Sequence, residues 1–384
     1  MSPQNEAAVI VIDSGFDQSS IAAVASRVMA ICDLSKSEAT FATGSPVAAD
    51  VLSDFAGDPL NHGSVVLSKL AALLPDTPFI LIRAFADDNR LARTVWSHDG
   101  KISAPGWTEA YRWAVQHCRA LGLASVANCS FGGCVHAMDG TGWEAFQLGH
   151  EVGSGKAGHI VVAAAGPGDG RSSHASWLNL LREAVSVNVH QRQDTQYNFW
   201  ESLPTANACA SGGWNLEVHR NGEFVFSLSS QNVSPNLWNG RRQQTFLVGG
   251  AGLVSLTLTR LPGDTACGDC TCAQRFDCWV TSDGSASFLD HVDPVLVAEP
   301  AVFEQVIAVG LRTGSYGPNQ AQSGVKPDVL LPGGGPISFR APELTAAIAM
   351  LLRNGHDDLD VDGIKVLLGK FPDLVTSTAS GSRV

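Results

Sequence analysis

Charge is scarce in this chain: only 16% of its 384 residues are Asp, Glu, Lys or Arg. So few charges, beside 39 glycines, disfavour a coiled coil or helical repeat and favour an α/β or β-rich fold. No run of Lys and Arg occurs, and 25 basic against 37 acidic residues leave a net charge of −12. The cationic face that a general nucleic-acid binder needs is missing. No stretch approaches about 18 consecutive apolar residues, so no membrane-spanning helix is expected. The opening MSPQNEAAVIVIDSG has neither the basic start nor the long apolar stretch of a secretory signal. A cytoplasmic location follows as the expectation. Neither the H-E-x-x-H spacing of zinc proteases nor the G-x-S-x-G turn of α/β-hydrolases is present, and no segment repeats.

What is present suits a folded enzyme-like chain. Hydrophobic residues make up 45%, enough for a sizeable core, and the length allows two domains or one large domain with an insertion. Short apolar runs at Ala8–Ile12, Pro78–Arg83, Ser125–Asn128 and His159–Ala165 predict strands buried on both faces. Helical patterns at His62–Leu74, Thr108–Leu121 and Trp143–Gly153 separate them, the alternation of a parallel sheet covered by helices. Near Ser186 the pattern changes. Val254, Leu256 and Leu258 alternate with Ser255, Thr257 and Thr259, and Phe224, Phe226 and Leu228 alternate likewise after the turn pair Asn221-Gly222. Residues 186–299 therefore predict an inserted antiparallel β-sandwich, with the α/β core formed by 1–185 and 300–384. Core character returns with VIAVG (Val306–Gly310), DVLL (Asp328–Leu331), a long apolar helix over Phe339–Arg353 and a last helix over Asp360–Gly369. The tail STASGSRV is expected to be disordered.

Three reactive side chains fall at the carboxyl end of a strand or the start of the next helix: Asp13, His62 and Ser338. Sites in open α/β sheets form at that edge. Together these residues can make a nucleophilic triad, the imidazole taking the hydroxyl proton and the carboxylate orienting the imidazole. Taken singly, each has a plainer explanation as a turn former or helix cap. The chain order Asp, His, Ser is that of subtilisin. With VIVIDSG, NHGSVVLSKL, VANCSFGG, HIVVAAAGPGDG and KPDVLLPGG followed by ISFRAPELTAAIAMLL, the chain resembles the subtilisin-like serine peptidases, or subtilases. The resemblance spans roughly residues 8–185 and 300–370. It implies a mostly parallel, doubly wound α/β sheet interrupted by the β-sandwich, and hydrolysis of a peptide or protein substrate. It also implies that Ser130, Phe131 and Gly132 pair with the substrate backbone and line the primary specificity pocket.

The motifs depart from the family in places. Pro167 stands where the family carries its oxyanion asparagine, and proline offers no donor. The backbone N–H of Ser338 remains, and Asn128 and Asn179 are candidates for a replacement donor. Pro336-Ile337 replaces Gly-Thr before the nucleophile, and Arg340 takes a normally small position, where it would either shape a substrate site or face solvent. Two other activities stay open: a catalytically impaired scaffold that binds a peptide or protein partner, and an acyl-enzyme that passes its acyl group to an amine, as a macrocyclase or transpeptidase does. Maturation of a specific intracellular precursor is the expected role.

The cysteines number nine, so at least one has no disulfide partner within the chain, and reduced thiols are expected. Cys267, Cys270, Cys272 and Cys278 form a cluster that can hold Zn²⁺, be stapled by disulfides or stay unpaired. Cys129 and Cys134 read as buried small hydrophobes. The resemblance allows calcium, for which Asp87-Asp88 and Asp357-Asp358 are the acidic candidates, though solvated loop charge explains them as well. The triad chemistry itself calls for no cofactor.

Overall fold

A computed structural model describes residues 6–36, 38–44, 46–86, 90–96, 102–133, 139–166, 173–179, 182–201, 213–236, 239–261, 274–280, 285–293, 297–314 and 326–370. The α/β part contains β1 (Ala7–Asp13), β2 (Val28–Asp33), β3 (Thr40–Thr43), β4 (Phe79–Arg83), a small hairpin of β5 (Val95–Trp96) and β6 (Ile102–Ala104), β7 (Ala124–Cys129) and β8 (His159–Ala164). The inserted strands are β9 (His174–Asn179), β10 (Ala184–Gln191), β11 (Thr195–Glu201), β12 (Trp214–Arg220), β13 (Glu223–Ser229), β14 (Gln243–Val248), β15 (Gly252–Arg260), β16 (Gln274–Val280) and β17 (Ala286–Phe288). The chain then returns through β18 (Ile307–Leu311) and β19 (Val329–Leu331). The helices are α1 (Gln18–Ala22), α2 (Ala49–Phe55), α3 (Gly63–Leu73), α4 (Trp107–Ala120), α5 (Trp143–Leu148), α6 (Ala341–Leu351) and α7 (Val361–Lys370).

Eight strands form one sheet in the order β19-β18-β8-β7-β1-β4-β2-β3, parallel except for the β2–β3 pair. The unbroken apolar run of β1 is explained by burial on both faces. Val9 and Val11 pack with α3, α6 and α7 through Leu67, Leu70, Leu344, Ile348 and Ile364. Ala8, Ile10 and Ile12 pack on the other face with Tyr111 and Val115 of α4 and Ala145 and Leu148 of α5. From β1 the chain crosses to β2 and the edge strand β3, returns to β4 beside β1, and then builds the other side of β1 through β7, β8, β18 and β19. The order therefore reverses between β1 and β7, and a crevice opens beyond the carboxyl ends of strands at such a reversal.

The inserted strands form a five-stranded sheet, β13-β12-β15-β10-β17, and a four-stranded sheet, β14-β11-β16-β9, with antiparallel pairing throughout. Val254, Leu256 and Leu258 point inward with Val187, Val189, Phe199 and Phe276. The two-sheet body begins at His174, and Ser186 lies inside β10. Asn221 and Gly222 both adopt positive φ, 52° and 85°, at the turn between β12 and β13, the backbone that a tight type I′ hairpin requires. Phe226 and Leu228 pack against the core, but Phe224 is 60% exposed. A register shift between Val218 and His219 pairs Phe224 with His219 near the turn end of this edge strand. The insertion grips the α/β part through a buried Arg241–Asp139 ion pair and a hydrogen bond from Asn239 Nδ2 to the Thr141 carbonyl, 3.1 Å. Trp200 and Trp279 also pack against Ala298.

No helix among the described residues is long and apolar enough to cross a membrane.

Candidate active site

Asp13 is the last residue of β1 and is fully buried. Its Oδ1 accepts hydrogen bonds from the Ser14 N–H, 2.8 Å, and from His62 Nδ1, 2.6 Å. His62 is the N-cap of α3, and Gly63 explains how it comes so near. A Cβ on Gly63 would lie 2.2 Å from the Gly15 carbonyl oxygen and 2.9 Å from Asp13 Cβ. Only glycine lets this helix start against the end of β1.

Asp58, which the sequence analysis passed over, braces the same junction. Its Oδ1 accepts from Ser14 Oγ, 2.7 Å, and its Oδ2 from the Ser64 N–H and Oγ, 2.8 and 2.6 Å. Ser14 Oγ in turn accepts from the Gly63 N–H, 3.1 Å. Burial alone pulls the His62 pKa down, but the hydrogen bond to Asp13 and the negative charges of Asp13 and Asp58 outweigh it, and the net shift is upward. The only sequence signal for this bracing is the hydroxyl that follows each motif residue, Ser14 after Asp13 and Ser64 after His62-Gly63; the Asp58 contact is set by the tertiary fold.

Ser338 sits on a short 3₁₀ turn, Ile337–Phe339, immediately before α6. Pro342 occupies the first turn of α6, where its missing N–H costs nothing. The Phe339 ring packs on the imidazole of His62, centroids 5.3 Å apart. Ser338 donates no hydrogen bond to His62 among the described residues. Its carbonyl accepts from Ser130 Oγ, 2.7 Å. Ser130 Oγ also accepts from Asn128 Nδ2, 2.9 Å, and Asn128 Oδ1 accepts from Thr345 Oγ1, 3.0 Å. The Asn128 side chain thus links α6 to the carboxyl end of β7, a role that sequence reasoning did not assign to it or to Thr345. Asn179 is elsewhere, in β9, donating to the Leu258 carbonyl at 3.2 Å, so it is not a donor for this site. Pro167 lies outside the described residues.

Beyond β7, the Phe131 ring is buried between Phe85 and Trp107, 5.5 and 5.6 Å away. With Trp107, Glu144, Glu299 and Phe303 it lines a small, tight cleft. No backbone hydrogen bond of Phe131 or Gly132 occurs among the described residues, whereas Gly133 and Glu299 exchange N–H···O bonds of 2.9 and 3.0 Å. Arg340, partly exposed, turns back to the Pro332 carbonyl, 3.0 Å, and to Glu343, 3.1 Å.

Cys267, Cys270, Cys272, Cys134, Asp87 and Asp88 lie outside the described residues. Cys278 is buried inside the sandwich, and Cys129 is buried in the α/β core, where burial raises its thiol pKa; burial raises that of Cys118 to about 12. Among the described residues, His174, Asp277 and Asp293 are close enough to share a metal ion. Arg275, however, bonds Asp277 at 3.1 Å and Asp293 at 2.7 Å, so a guanidinium already stands where the cation would be and these residues do not fit a metal.

No protein-family model matches the chain, and no curated protein matches it in sequence. Among solved structures, the CspB protease of Clostridium perfringens is similar over 96% of this chain and 87% of its own, with a TM-score of 0.65 and 14% identity. That likeness shows a shared fold. A non-crystalline-cellulose-specific carbohydrate-binding module, 13% identical, covers 29% of this chain and 72% of its own with a TM-score of 0.19. The pre-peptidase C-terminal domain of a Bacillus anthracis collagenase, 7% identical, covers 31% and 90% with a TM-score of 0.18. Scores that low carry no argument about either part of the molecule.

Proposed function

We propose that this chain is a serine endopeptidase in which Ser338 is the nucleophile, His62 the general base and then acid, and Asp13 the orienting carboxylate. The observation that supports this most is the 2.6 Å Asp13–His62 hydrogen bond lying against the turn that carries Ser338. His62 Nε2 takes the Ser338 hydroxyl proton as Oγ bonds the substrate carbonyl carbon. The tetrahedral species collapses as the C–N bond breaks, and His62 gives that proton to the departing amine. Water then adds to the acyl-enzyme, His62 accepting its proton and returning it to Ser338 Oγ as the C–Oγ bond breaks. Asp13 stays ionised and stabilises the imidazolium. The backbone groups of Phe131 and Gly132, unbonded among the described residues, would hold an extended substrate as an added strand.

The Ser338 N–H would supply one oxyanion donor. With Pro167 in place of a second, the rate falls by about 10²–10³, roughly 3–4 kcal/mol of transition-state stabilisation. General-base and nucleophilic catalysis remain. The open Ser338–His62 contact is compatible with catalysis, because such hydrogen bonds often close only when substrate binds. Together with Pro167 it also favours a second reading, a silent scaffold that binds a peptide.

Intact-mass analysis after treatment with a fluorophosphonate separates the two. One adduct on the wild type that is lost in Ser338→Ala supports the peptidase. No adduct on a folded wild type, under conditions where a known subtilase reacts, supports the scaffold. For an active enzyme, product masses distinguish hydrolysis, which adds a water, from transpeptidation, which does not.

A further inference from the structure

The 3₁₀ turn that carries Ser338 is held through three successive carbonyls. Ile337 O accepts from the Arg340 N–H, 2.8 Å, and Ser338 O accepts from Ser130 Oγ, 2.7 Å. Phe339 O accepts from Lys69 Nζ, 2.7 Å. Lys69 is on α3, the helix that begins next to His62, two turns further along. Its ammonium also pairs at 2.6 Å with Glu343 of α6, a carboxylate whose side chain is only 4% exposed. Arg340 flanks the same carboxylate from the other side, 3.1 Å away.

A lysine in a solvent-facing pair is worth little, because its long side chain wanders. Here the buried carboxylate fixes the ammonium, and the ammonium fixes a carbonyl in the residue next to the nucleophile. That residue's ring lies on the imidazole. The cation therefore joins the base's helix to the nucleophile's turn, and a change at Lys69 reaches both partners of the proton transfer without touching a substrate.

We propose that Lys69, anchored by Glu343, is a positioning residue that sets the Ser338 turn and the Phe339 ring against His62. This rests on the peptidase reading above. Glu343 keeps Arg340 as a partner when Lys69 is removed, so Lys69→Met is expected to fold.

The test is the rate of fluorophosphonate labelling of the full chain across probe concentrations, which separates the maximal rate from the half-saturating concentration, with thermal melting as the check on folding. Misplacing reacting groups by about 1 Å costs on the order of 10²-fold, so Lys69→Met is expected to lower the maximal rate by about 10- to 100-fold. Half-saturation should stay near the wild-type value. Lys69→Arg, which can keep both contacts, should recover most of the rate. Glu343→Gln should lower the rate in the same direction by a smaller factor, and it carries the test alone if Lys69→Met does not fold. A folded Lys69→Met with the wild-type maximal rate overturns the proposal, as does a loss confined to half-saturation or one that Lys69→Arg does not restore. Those outcomes leave the triad intact; a wild type that does not label at all overturns the triad and Lys69's role with it.

Discussion

Among the described residues two Asp–His pairs are hydrogen-bonded at nearly the same length, and their surroundings are opposite. Asp13–His62, 2.6 Å, sits at the carboxyl edge of the parallel sheet, with the histidine side chain 27% exposed and beside the Ser338 turn. Asp277–His174, 2.8 Å, lies on the face of the four-stranded sheet turned away from the sandwich core, with both side chains fully buried. There the imidazole stacks on Trp279, centroids 4.2 Å apart, and Arg275 shares the carboxylate. His174 Nδ1 is buried without a hydrogen-bond partner among the described residues. An Asp–His pair becomes a candidate base only when the second ring nitrogen can reach a reacting group. Where a guanidinium completes the charge balance instead, the same two side chains hold a domain together.

Substituting the two carboxylates is the strongest way to break this comparison. Asp13→Asn is expected to cut the fluorophosphonate labelling rate by about 10⁴-fold, the scale seen when a triad carboxylate loses its charge, with the melting temperature little changed. Asp277→Asn is expected to leave the labelling rate within about twofold, because the pair lies outside the proton path. It should nonetheless destabilise the sandwich by about 3–5 kcal/mol in urea unfolding, the cost of breaking a buried ionic network. A large loss of labelling in Asp277→Asn would erase the distinction. Gly63→Ala comes next. The new methyl group would meet the Gly15 carbonyl at 2.2 Å, displacing the start of α3, and a labelling loss on the order of 10²-fold is expected.

Acidity sharpens the same contrast with smaller effects. Burial would raise the Asp277 pKa, but the hydrogen bonds and charges of His174 and Arg275 hold it well below the usual carboxylate range. Its contribution to stability is therefore present above about pH 4, the unfolded carboxylate value, and is lost as pH falls toward the folded one. Asp277→Asn should flatten that part of the acid-unfolding curve. His62 runs the other way. Its folded pKa is raised, so the stability it adds is full below about pH 6.5 and is lost as pH rises through the folded value. The base must be neutral, so labelling should rise with pH around a midpoint above about 6.5. Asp58→Asn removes one of the raising charges and should move that midpoint to lower pH, the smallest of the expected changes.

Much of the α/β part was legible because its signals are local. The apolar run before Asp13, the His62-Gly63 step and the apolar helix after Ser338 each follow from a short stretch of sequence. β2 and β3 were not, because Val28–Asp33 is flanked by a brief helical turn and β3 is a mostly exposed edge strand. At the site, Asp58, Thr345, Lys69 and Glu343 escaped notice because their partners lie on other segments. Glu343 reads as an ordinary polar helix residue until α3 brings Lys69 to it. Phe131 escaped for a related reason: its motif says where the backbone runs, but the burial of its ring depends on Trp107 and Phe85 from other segments.

The two ends of the insertion meet. The Ala298 N–H donates to the Ala165 carbonyl, 3.2 Å, although roughly 130 residues of chain lie between them. Closing a flexible loop of that length costs about 4 kcal/mol in chain entropy, and β18 can join β8 only after it is closed. A sandwich that has already formed, from strands paired within its own stretch of sequence, brings those ends together in advance. Topology thus predicts an order of folding: the inserted body is expected to complete itself early, and the parallel sheet that ends β1 at Asp13 to gain its last two strands, β18 and β19, afterwards.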